Sequence, residues 1–394
     1  MNLKLSACLG ITLAKAVKTG LRAFHYGGTN LPGVIAEKID SNILVDLSED
    51  VKTVLITGTN GKSTSLRMLE QLLDSEGIRY FSNYEGANIA TGIASTFISN
   101  ASWNGRAKIG LALIECDEKY VDRMCRELHP KIVLVTNLYE DQKERFGSVT
   151  DLAKSLSKSL KNSEAVLCLN EDCEALAPLF ETNARRTIGY RVDGEDVVVG
   201  NERISVQLNV PGEWNLSNAA GVCAVAKQLG LNSSEFPKVF NQIVLPYGRM
   251  ESIKIGTSEV LVNLAKNPNS MDSLLQYLCD EEKPDVLVIG INARTGDIAN
   301  PNWLMETEKL NLIEKFQQVW VYGDSRDVAA NIIKEQLPAD LDVKLIDSAE
   351  EVIREIANRE VKVAMLLNYT CMMETRRLML RAGCITDAFW VKRI

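Results

Sequence analysis

The chain lacks any long apolar run. In its 394 residues no stretch approaches the ~18–20 consecutive apolar residues that a membrane-spanning helix needs. Histidine is also scarce, because the sequence contains only His25 and His129, which lie far apart. No Ser–His–Asp or Cys–His arrangement stands out, so the sequence predicts no nucleophile system of that kind.

Paired cysteines are missing as well. The nine cysteines are scattered without a disulfide framework, which indicates a reducing, cytoplasmic compartment. Cys168 and Cys173 form a CX₄C pair, but no second pair lies at the spacing of a metal site. A zinc site is therefore not expected.

The chain also has no excess of positive charge. It holds 44 Lys and Arg against 52 Asp and Glu, for a net charge of −8, which argues against nucleic acid as the main partner. A hydrophobic share of 46% is ordinary for a globular protein with sizeable cores. Its length predicts two or three domains, at ~100–200 residues each.

The N-terminal stretch predicts an amphipathic helix. It is apolar from Leu3 to Leu13, and Lys15, Lys18 and Arg22 follow at helical spacing. The first interpretation is that this helix packs on its own domain. The alternative is peripheral contact with the inner face of a membrane, with its lysines toward anionic lipid.

Strands that alternate with helices from residue 51 onward predict an α/β protein with a parallel, helix-flanked sheet. Short alternating strands at 186–210 suggest an antiparallel flap, and Pro and Gly at 245–252 suggest a linker before a second, doubly wound α/β series. We therefore expect a short N-terminal segment and two domains. Their predicted ranges are 1–48, 49–248 and 249–394.

The strongest local signal is VKTVLITGTNGKSTS at residues 51–65. It predicts a buried strand, a glycine turn and the start of an amphipathic helix. Glycines let the backbone approach phosphates, and amide N–H groups, a helix N-terminus and a lysine face the negative charge. The loop departs from GxxxxGK[ST], and a simple glycine turn is the alternative. The predicted phosphate-binding residues are Gly58, Thr59, Asn60, Gly61, Lys62, Ser63 and Thr64.

Acidic residues follow a second predicted buried strand. Glu115 lies at its carboxyl end, where ligands bind in open α/β sheets, and could hold Mg²⁺ together with Ser63. Glu118 is a plausible second acid. The alternative is a solvated acidic loop that also contains Asp117.

Amide and acidic side chains follow the next predicted strand. Asn137, Asp141 and Gln142 could line the same site, or they could simply open a charged helix. Farther on, Asn215 and Asn218 lie three residues apart at a helix start, hence on one face. Amides can pair with the edge of a nucleobase, although Asn215 could instead cap the helix.

Two cations lie near the predicted linker. Arg249 could reach phosphates and stabilise charge during transfer, or it could form a salt bridge. Lys266 follows a predicted strand and could approach an acyl phosphate, or it could lie in a surface loop.

Several of these segments together resemble the Mur ligases. The resemblance rests on GTNGKST, on Glu115 in a later strand, and on WNLSN and GRME. Further segments are similar, in the same order, to the MurT subfamily, the ligase-like subunits of lipid II isoglutaminyl synthase. They are YGGTNLPG, YEGANIATGIAS, LIECDE, NLYEDQKERFG, LAKNPNS and LLNYTCMME.

The resemblance implies a central P-loop ATPase domain and a C-terminal Rossmann-like domain. It implies that ATP, with Mg²⁺, phosphorylates the α-carboxylate of the D-isoglutamyl residue of lipid II, a lipid-linked peptidoglycan precursor. Ammonia from a separate GatD-like glutaminase, bound as a heterodimer, would then displace phosphate. The alternatives are a Mur-type ligase for a different carboxylate and a nucleotide-binding scaffold that regulates a partner.

This chain departs from that subfamily in two places. The subfamily's four-cysteine zinc ribbon is absent from the central domain. Its segment Asp-Gly-x-Asp-x-Ser-Trp, which is thought to present an aspartate to the active site, is replaced by Arg294-Thr295-Gly296-Asp297 and a later Trp303. The resemblance implies that Asp297 takes that role. It also aligns Gln142 with a histidine of many amino-acid-adding Mur ligases.

Overall fold

The computed structural model forms two compact units, Met1–Val244 and Leu245–Ile394. The described residues are 5–23, 30–83, 87–139, 148–298, 300–337 and 343–386, without the side chains of 21–23. The sequence predictions for His25, Asp141 and Gln142 lie outside the described residues.

The N-terminal unit alternates strands and helices. Its helices are α1 (Leu5–Ala23), α2 (Leu31–Ile39), α3 (Ile43–Ser48), α4 (Lys62–Ser75), α5 (Ala90–Asn100), α6 (Val121–Leu128), α7 (Val149–Lys161), α8 (Ala177–Asn183), α9 (Glu213–Leu229) and α10 (Phe236–Phe240). Its strands are β1 (Lys52–Thr57), β2 (Phe81–Ser82), β3 (Leu111–Glu115), β4 (Ile132–Val135), β5 (Val166–Asn170), β6 (Thr187–Asp193), β7 (Asp196–Val199) and β8 (Glu202–Ser205).

These strands form one sheet in the order β2-β3-β1-β4-β5-β6-β7-β8. The pairs from β2 to β6 are parallel, and β7 and β8 add antiparallel strands at the edge, as the alternating pattern predicted. Strand β2 is very short, because only Phe81 and Ser82 pair with β3. Apolar residues of the central strands are buried on both faces, which accounts for their unbroken hydrophobic runs.

The predicted N-terminal helix is confirmed as α1, which packs on its own unit through Ala7, Ile11 and Ala14. Lys15 Nζ donates a hydrogen bond to the carbonyl of Ala101, and Lys18 Nζ donates to Ser99 Oγ. The expectation that these two lysines face lipid is therefore wrong, because both turn toward the end of α5. Within the described part of the chain, no helix combines the length and apolar character required to cross a membrane.

The C-terminal unit contains a second sheet. Its helices are α11 (Pro268–Tyr277), α12 (Arg326–Gln336), α13 (Ala349–Ala357) and α14 (Tyr369–Arg381), with short helical turns at Leu278–Glu282, Pro301–Glu306 and Leu310–Lys315. Its strands are β9 (Glu251–Ile255), β10 (Ser258–Leu264), β11 (Val286–Gly290), β12 (Gln318–Tyr322), β13 (Val343–Leu345) and β14 (Lys362–Leu367).

The order of this sheet is β13-β12-β11-β14-β10-β9, and only β9 runs antiparallel to its neighbour. The prediction of a second α/β series is confirmed. The predicted linker, however, extends too far, because Glu251 and Ser252 already pair with β10. Pro246 and Gly248 are typical of a turn, and alternate residues of β9 are exposed. The sequence therefore does not indicate this edge strand.

Candidate active site

The loop after β1 requires glycine at two positions. Gly58 and Gly61 have φ angles of +123° and +85°, a conformation that residues with a Cβ rarely adopt. A Cβ would also lie 2.3 Å from Thr136 Oγ1 at Gly58, and 2.1 Å from Asn218 Oδ1 at Gly61. Backbone conformation and close neighbours therefore both exclude larger residues from this turn.

The segment after β4 fastens the loop. Asn137 Oδ1 accepts a hydrogen bond from Asn60 N at 2.9 Å, and Asn137 Nδ2 donates to Asn60 O at 3.2 Å. Thr136 Oγ1 donates to the same carbonyl at 2.7 Å, and Thr59 N donates to Asn137 O at 3.0 Å. Because β1 and β4 are adjacent in the sheet, the loop is held by the end of its neighbouring strand.

Lys62 opens α4 and is buried beside the loop. Because α4 begins directly after Gly61, the first amide N–H groups of the helix have no carbonyl partner within it. The Lys62 ammonium donates to the carbonyl oxygens of Gly58 and Thr59 and lies 3.5 Å from Glu118 Oε2. A cation and a helix N-terminus at one glycine loop favour a phosphate group.

Glu115 ends β3 and faces the first turn of α4. Its Oε2 accepts a hydrogen bond from Ser63 Oγ at 2.7 Å, and its Oε1 accepts one from Asn88 Nδ2 at 3.0 Å. The register of the sheet explains this meeting, because Glu115 pairs with Ile56 near the end of β1. The predicted hydroxyl and carboxylate are thus brought together at one point.

Two asparagines that the sequence did not single out orient Glu115. Asn83 accepts a hydrogen bond from Glu115 N at 2.8 Å and donates to Glu115 O at 2.7 Å. Asn88 holds the carboxylate itself, and its own carbonyl accepts from Asp117 N at 3.0 Å. Asn83 directly follows β2, at the same edge of the sheet as Glu115, so this strand end is the signal that could have found it once the pairing of β2 with β3 is known.

The oxygen donors of Ser63 and Glu115 suit a magnesium ion. Mg²⁺ prefers hydroxyl, carboxylate and phosphate oxygens, and nucleotide enzymes usually hold it by one or two carboxylates together with phosphates and water. No cluster of three or more His, Cys, Asp or Glu side chains in the described ranges could hold a metal on its own. The chain thus provides part of a coordination sphere that nucleotide phosphates can complete.

The two predicted base-binding asparagines lie on α9 but have different neighbours. Asn215 Nδ2 donates to Pro211 O at 2.6 Å. Asn218 Oδ1 lies 3.5 Å from Ser65 Oγ, beside the phosphate loop. The N-cap residue of α9 is Gly212. The alternative in which Asn215 caps this helix is therefore wrong.

Arg249 and Lys266 belong to the C-terminal unit. Arg249 lies in the turn before β9, where its Nη1 donates to Gly248 O at 3.2 Å. Lys266 follows β10, and its amide donates to Ser270 Oγ at 3.1 Å. Asn267 and Ser270 form a capping box at the start of α11. Lys266 therefore directly precedes a capped helix N-terminus.

Asp297 lies at the start of α14. Its carboxylate accepts hydrogen bonds from the amide of Thr370 at 3.0 Å, from the hydroxyl of Thr370, and from Arg294 N at 3.3 Å. The Arg294 side chain in turn forms ion pairs with Asp324 and Glu374. In this structure the Asp297 carboxylate therefore accepts hydrogen bonds at the N-terminus of α14.

Several buried cysteines of the N-terminal unit are poor nucleophiles. Burial raises the pKa of the Cys125 thiol to about 11 and that of Cys168 to about 12. Burial, with the charge of Asp117, raises the pKa of Cys116 well above its ordinary value. Cys173 accepts a hydrogen bond from Leu138 N. These thiols remain protonated, whereas a nucleophilic cysteine needs a lowered pKa.

Comparison with protein families assigns both units. Residues 56–226 match the family model "Mur ligase middle domain", and residues 264–372 match "MurT ligase C-terminal". The first match contains the glycine loop, Glu115 and both asparagines of α9. The second contains Lys266, Asp297 and the start of α14.

Curated relatives agree with these matches. A protein of Staphylococcus aureus named lipid II isoglutaminyl synthase (glutamine-hydrolyzing) subunit MurT is 28% identical, over 76% of this chain and 80% of its own. The subunit of the same name from Streptococcus pneumoniae is 24% identical, over 96% of this chain and 98% of its own.

Solved structures share the fold. MurF from Acinetobacter baumannii aligns with a TM-score of 0.66 at 16% identity, covering 90% of this chain and 80% of that one. Folylpolyglutamate synthase from Mycobacterium tuberculosis, solved with ADP, aligns with a TM-score of 0.64 at 16% identity, covering 92% and 97%. With a Mur ligase middle domain that carries the glycine loop and a MurT-type C-terminal unit, the chain belongs to the Mur ligase family of ATP-dependent carbon–nitrogen ligases.

Proposed function

We propose that this chain is the ligase subunit that amidates the α-carboxylate of the D-isoglutamyl residue of lipid II. The observation that carries the proposal is the meeting of Lys62, Ser63 and Glu115 at a fastened glycine loop. Its substrate class follows from the relatives, which are named as subunits of lipid II isoglutaminyl synthase.

The N-terminal unit binds ATP in this proposal. Loop amides and Lys62 hold the phosphates, while Ser63 and Glu115 hold Mg²⁺. That ion, when bound, neutralises charge on the phosphate oxygens. Asn218 lies against the loop at Gly61, which supports a role for the asparagines of α9 in holding the nucleotide. Asn88 keeps the Glu115 carboxylate in place.

The reaction has two steps. The γ-phosphoryl group passes from ATP to the carboxylate oxygen, and ADP leaves. Ammonia then attacks the carbonyl carbon, phosphate departs, and the nitrogen loses a proton to give the amide. Negative charge accumulates in both steps. Arg249 and Lys266 are proposed to neutralise this charge. Asp297 of the C-terminal unit is proposed to present its carboxylate to the active site.

Ammonia comes from a partner in this proposal. The buried thiols of Cys116, Cys125 and Cys168 have raised pKa values, so they are poor candidates for glutamine hydrolysis. The relatives are named as subunits of a glutamine-hydrolyzing synthase. We therefore propose a heterodimer with a GatD-like glutaminase that carries its own cysteine nucleophile.

A lipid-linked substrate agrees with one surface of the N-terminal unit. Leu5, Leu9 and Leu13 recur at four-residue spacing along α1 and are 87%, 52% and 43% exposed. Trp103 of the same unit is 65% exposed. Exposed leucines and a tryptophan are typical of a surface that lies on a bilayer, so we propose peripheral contact with the inner face of the membrane through the leucine face of α1, without Lys15 and Lys18.

The decisive experiment incubates the purified chain with ATP, Mg²⁺, an ammonium salt and lipid II. Mass spectrometry should show the product lighter by the difference between OH and NH₂, with ADP released in equal amount. Lipid II that is already amidated is the matched control, and it should release no ADP. An unchanged mass, both with and without the glutaminase, would refute the proposal and favour a different carboxylate substrate.

A further inference from the structure

We infer that the buried Arg376 and the half-buried Glu251 form a clamp that fixes the turn Gly248–Met250 and so positions Arg249 for the reaction. The inference rests on the proposed function of Arg249. Glu251 and Arg376 both belong to the C-terminal unit and act as positioning residues for Arg249.

The turn has an uncommon backbone. Gly248 has a φ of +66°, and a Cβ there would lie 2.1 Å from the sulfur of Met372. Met250, two residues later, has a φ of +49° although it is not glycine. Non-glycine residues at such angles cost free energy and persist only where their surroundings hold them, which happens most often at functional sites.

Hydrogen bonds hold the turn on both sides of Arg249. Gly248 N donates to Glu251 Oε2 at 2.8 Å, and Gly248 O accepts from Leu264 N at 2.8 Å. Met250 N donates to Asn263 Oδ1 at 2.7 Å. The residues before and after Arg249 are thus both fixed to the sheet of this unit.

Arg376 completes the clamp from α14. It is 1% exposed, and its guanidinium forms an ion pair with the same Glu251 oxygen that accepts from Gly248. Its Cζ also lies 4.2 Å from the ring centroid of Tyr247, close enough for a cation–π interaction. One arginine therefore holds both the residue before the turn and the acid that binds the turn.

The stability of the fold does not by itself explain the presence of this ion pair. Apolar residues of similar volume often stabilise a fold as well as a buried ion pair does, whereas the loss of one partner leaves an uncompensated charge. This pair instead joins α14 to the residue that opens β9, with Arg249 in the short segment between two fixed points. The geometry thus suits the orientation of an arginine.

Trypsin tests the clamp without any activity assay, because it cleaves after Arg249 only when the turn opens. Glu251→Gln should speed cleavage of the Arg249–Met250 bond by at least about tenfold in the full chain. Glu351→Gln is the matched control, because Glu351 pairs with Arg354 at 3.3 Å on the exposed surface of α13. Its cleavage rate at Arg249 should equal that of the wild type. Equal rates for Glu251→Gln and the wild type would overturn the inference.

Kinetics then tests the consequence for the reaction. Glu251→Gln should lower kcat about tenfold at an unchanged KM for ATP, and should cause no further loss in an Arg249→Ala background. Asn263→Ala gives a second route to the same result, since it removes the acceptor of Met250 N without touching a charge. Additive losses would show a merely structural role and overturn the inference. Full turnover by Arg249→Ala would instead refute the proposed role of Arg249, whatever the trypsin result.

Discussion

The two units of this chain carry similar parallel sheets but use the carboxyl ends of their strands differently. In the N-terminal unit, β1 ends in a glycine loop, and a lysine and a carboxylate lie beside it. In the C-terminal unit, Asn368 after β14 ties down the backbone after β11, where its Nδ2 donates to Asn292 O at 2.7 Å. One set of strand ends brings a glycine loop, a lysine and a carboxylate together, whereas the other is joined by hydrogen bonds between neighbouring strand ends.

The fate of the acidic side chains shows the same difference. Glu115 accepts hydrogen bonds from a hydroxyl and an amide, both neutral donors, so its negative charge remains available to a cation. In the C-terminal unit, Asp324 and Glu374 are both paired with Arg294, and Asp297 closes a helix. Architecture alone therefore does not decide the chemistry. A few residues directly after the strands do.

Replacement of Lys62 should have the largest effect on the difference between the two units. Lys62→Ala removes the cation from the glycine loop, and we expect ADP release in the lipid II assay to fall by more than about a hundredfold. Lys52→Ala, at the exposed start of β1, is the matched control and should leave turnover unchanged. Circular dichroism should show both variants folded. Normal turnover by Lys62→Ala would contradict the assignment of the site to this unit.

A matched pair of asparagine variants should separate the two units. Asn137→Ala frees the glycine loop, so turnover should fall by about tenfold or more while little stability is lost. Asn368→Ala leaves buried backbone groups of the C-terminal unit without a partner, so the free energy of unfolding should fall by about 2 kcal/mol. Urea unfolding and the ADP assay measure both. Equal losses of turnover and of unfolding free energy in the two variants would contradict the proposed difference between the units.

The smallest expected effect is a change in acid stability. Hydrogen bonds from Arg294 lower the pKa of Asp324. A carboxyl whose pKa is lowered in the folded state adds stability above its unfolded pKa of about 3.9, and this is lost as the pH falls through the folded value. Asp324→Asn should therefore flatten the fall in stability below about pH 4, by only a little because the pair is exposed. Arg294→Gln should flatten the same window, and a response from only one of the two would argue against this pair as the cause.

The sequence predicts well those features that depend on consecutive residues. The strand, glycine turn and helix around Gly58 and Gly61 follow from local pattern, and β1 and α4 appear where expected. Glu115 could be placed at a strand end because its strand is continuously apolar. By contrast, the roles of Asn83 and Asn88 depend on the pairing of β2 with β3, which no local pattern encodes.

Side-chain direction was harder to predict. Lys15 and Lys18 lie at the spacing of a polar helix face, yet they turn toward carbonyl and hydroxyl groups at the end of α5. Leucines of the opposite face of α1 stay exposed instead. The local pattern does not indicate the edge strand β9, because two of its five residues are exposed and a glycine turn directly precedes it. In each case a non-local neighbour decides the outcome.

The central position of β1 has a consequence for how the chain folds. Gly58, Glu115 and Asn137 are far apart in sequence, so their contacts form only after β1 has paired with both β3 and β4. Contacts between distant residues form slowly, because closing long loops costs chain entropy. A nucleotide that binds this loop would therefore stabilise only molecules that have completed the three-strand pairing, by mass action. A higher nucleotide concentration would then raise the free energy of unfolding of this unit.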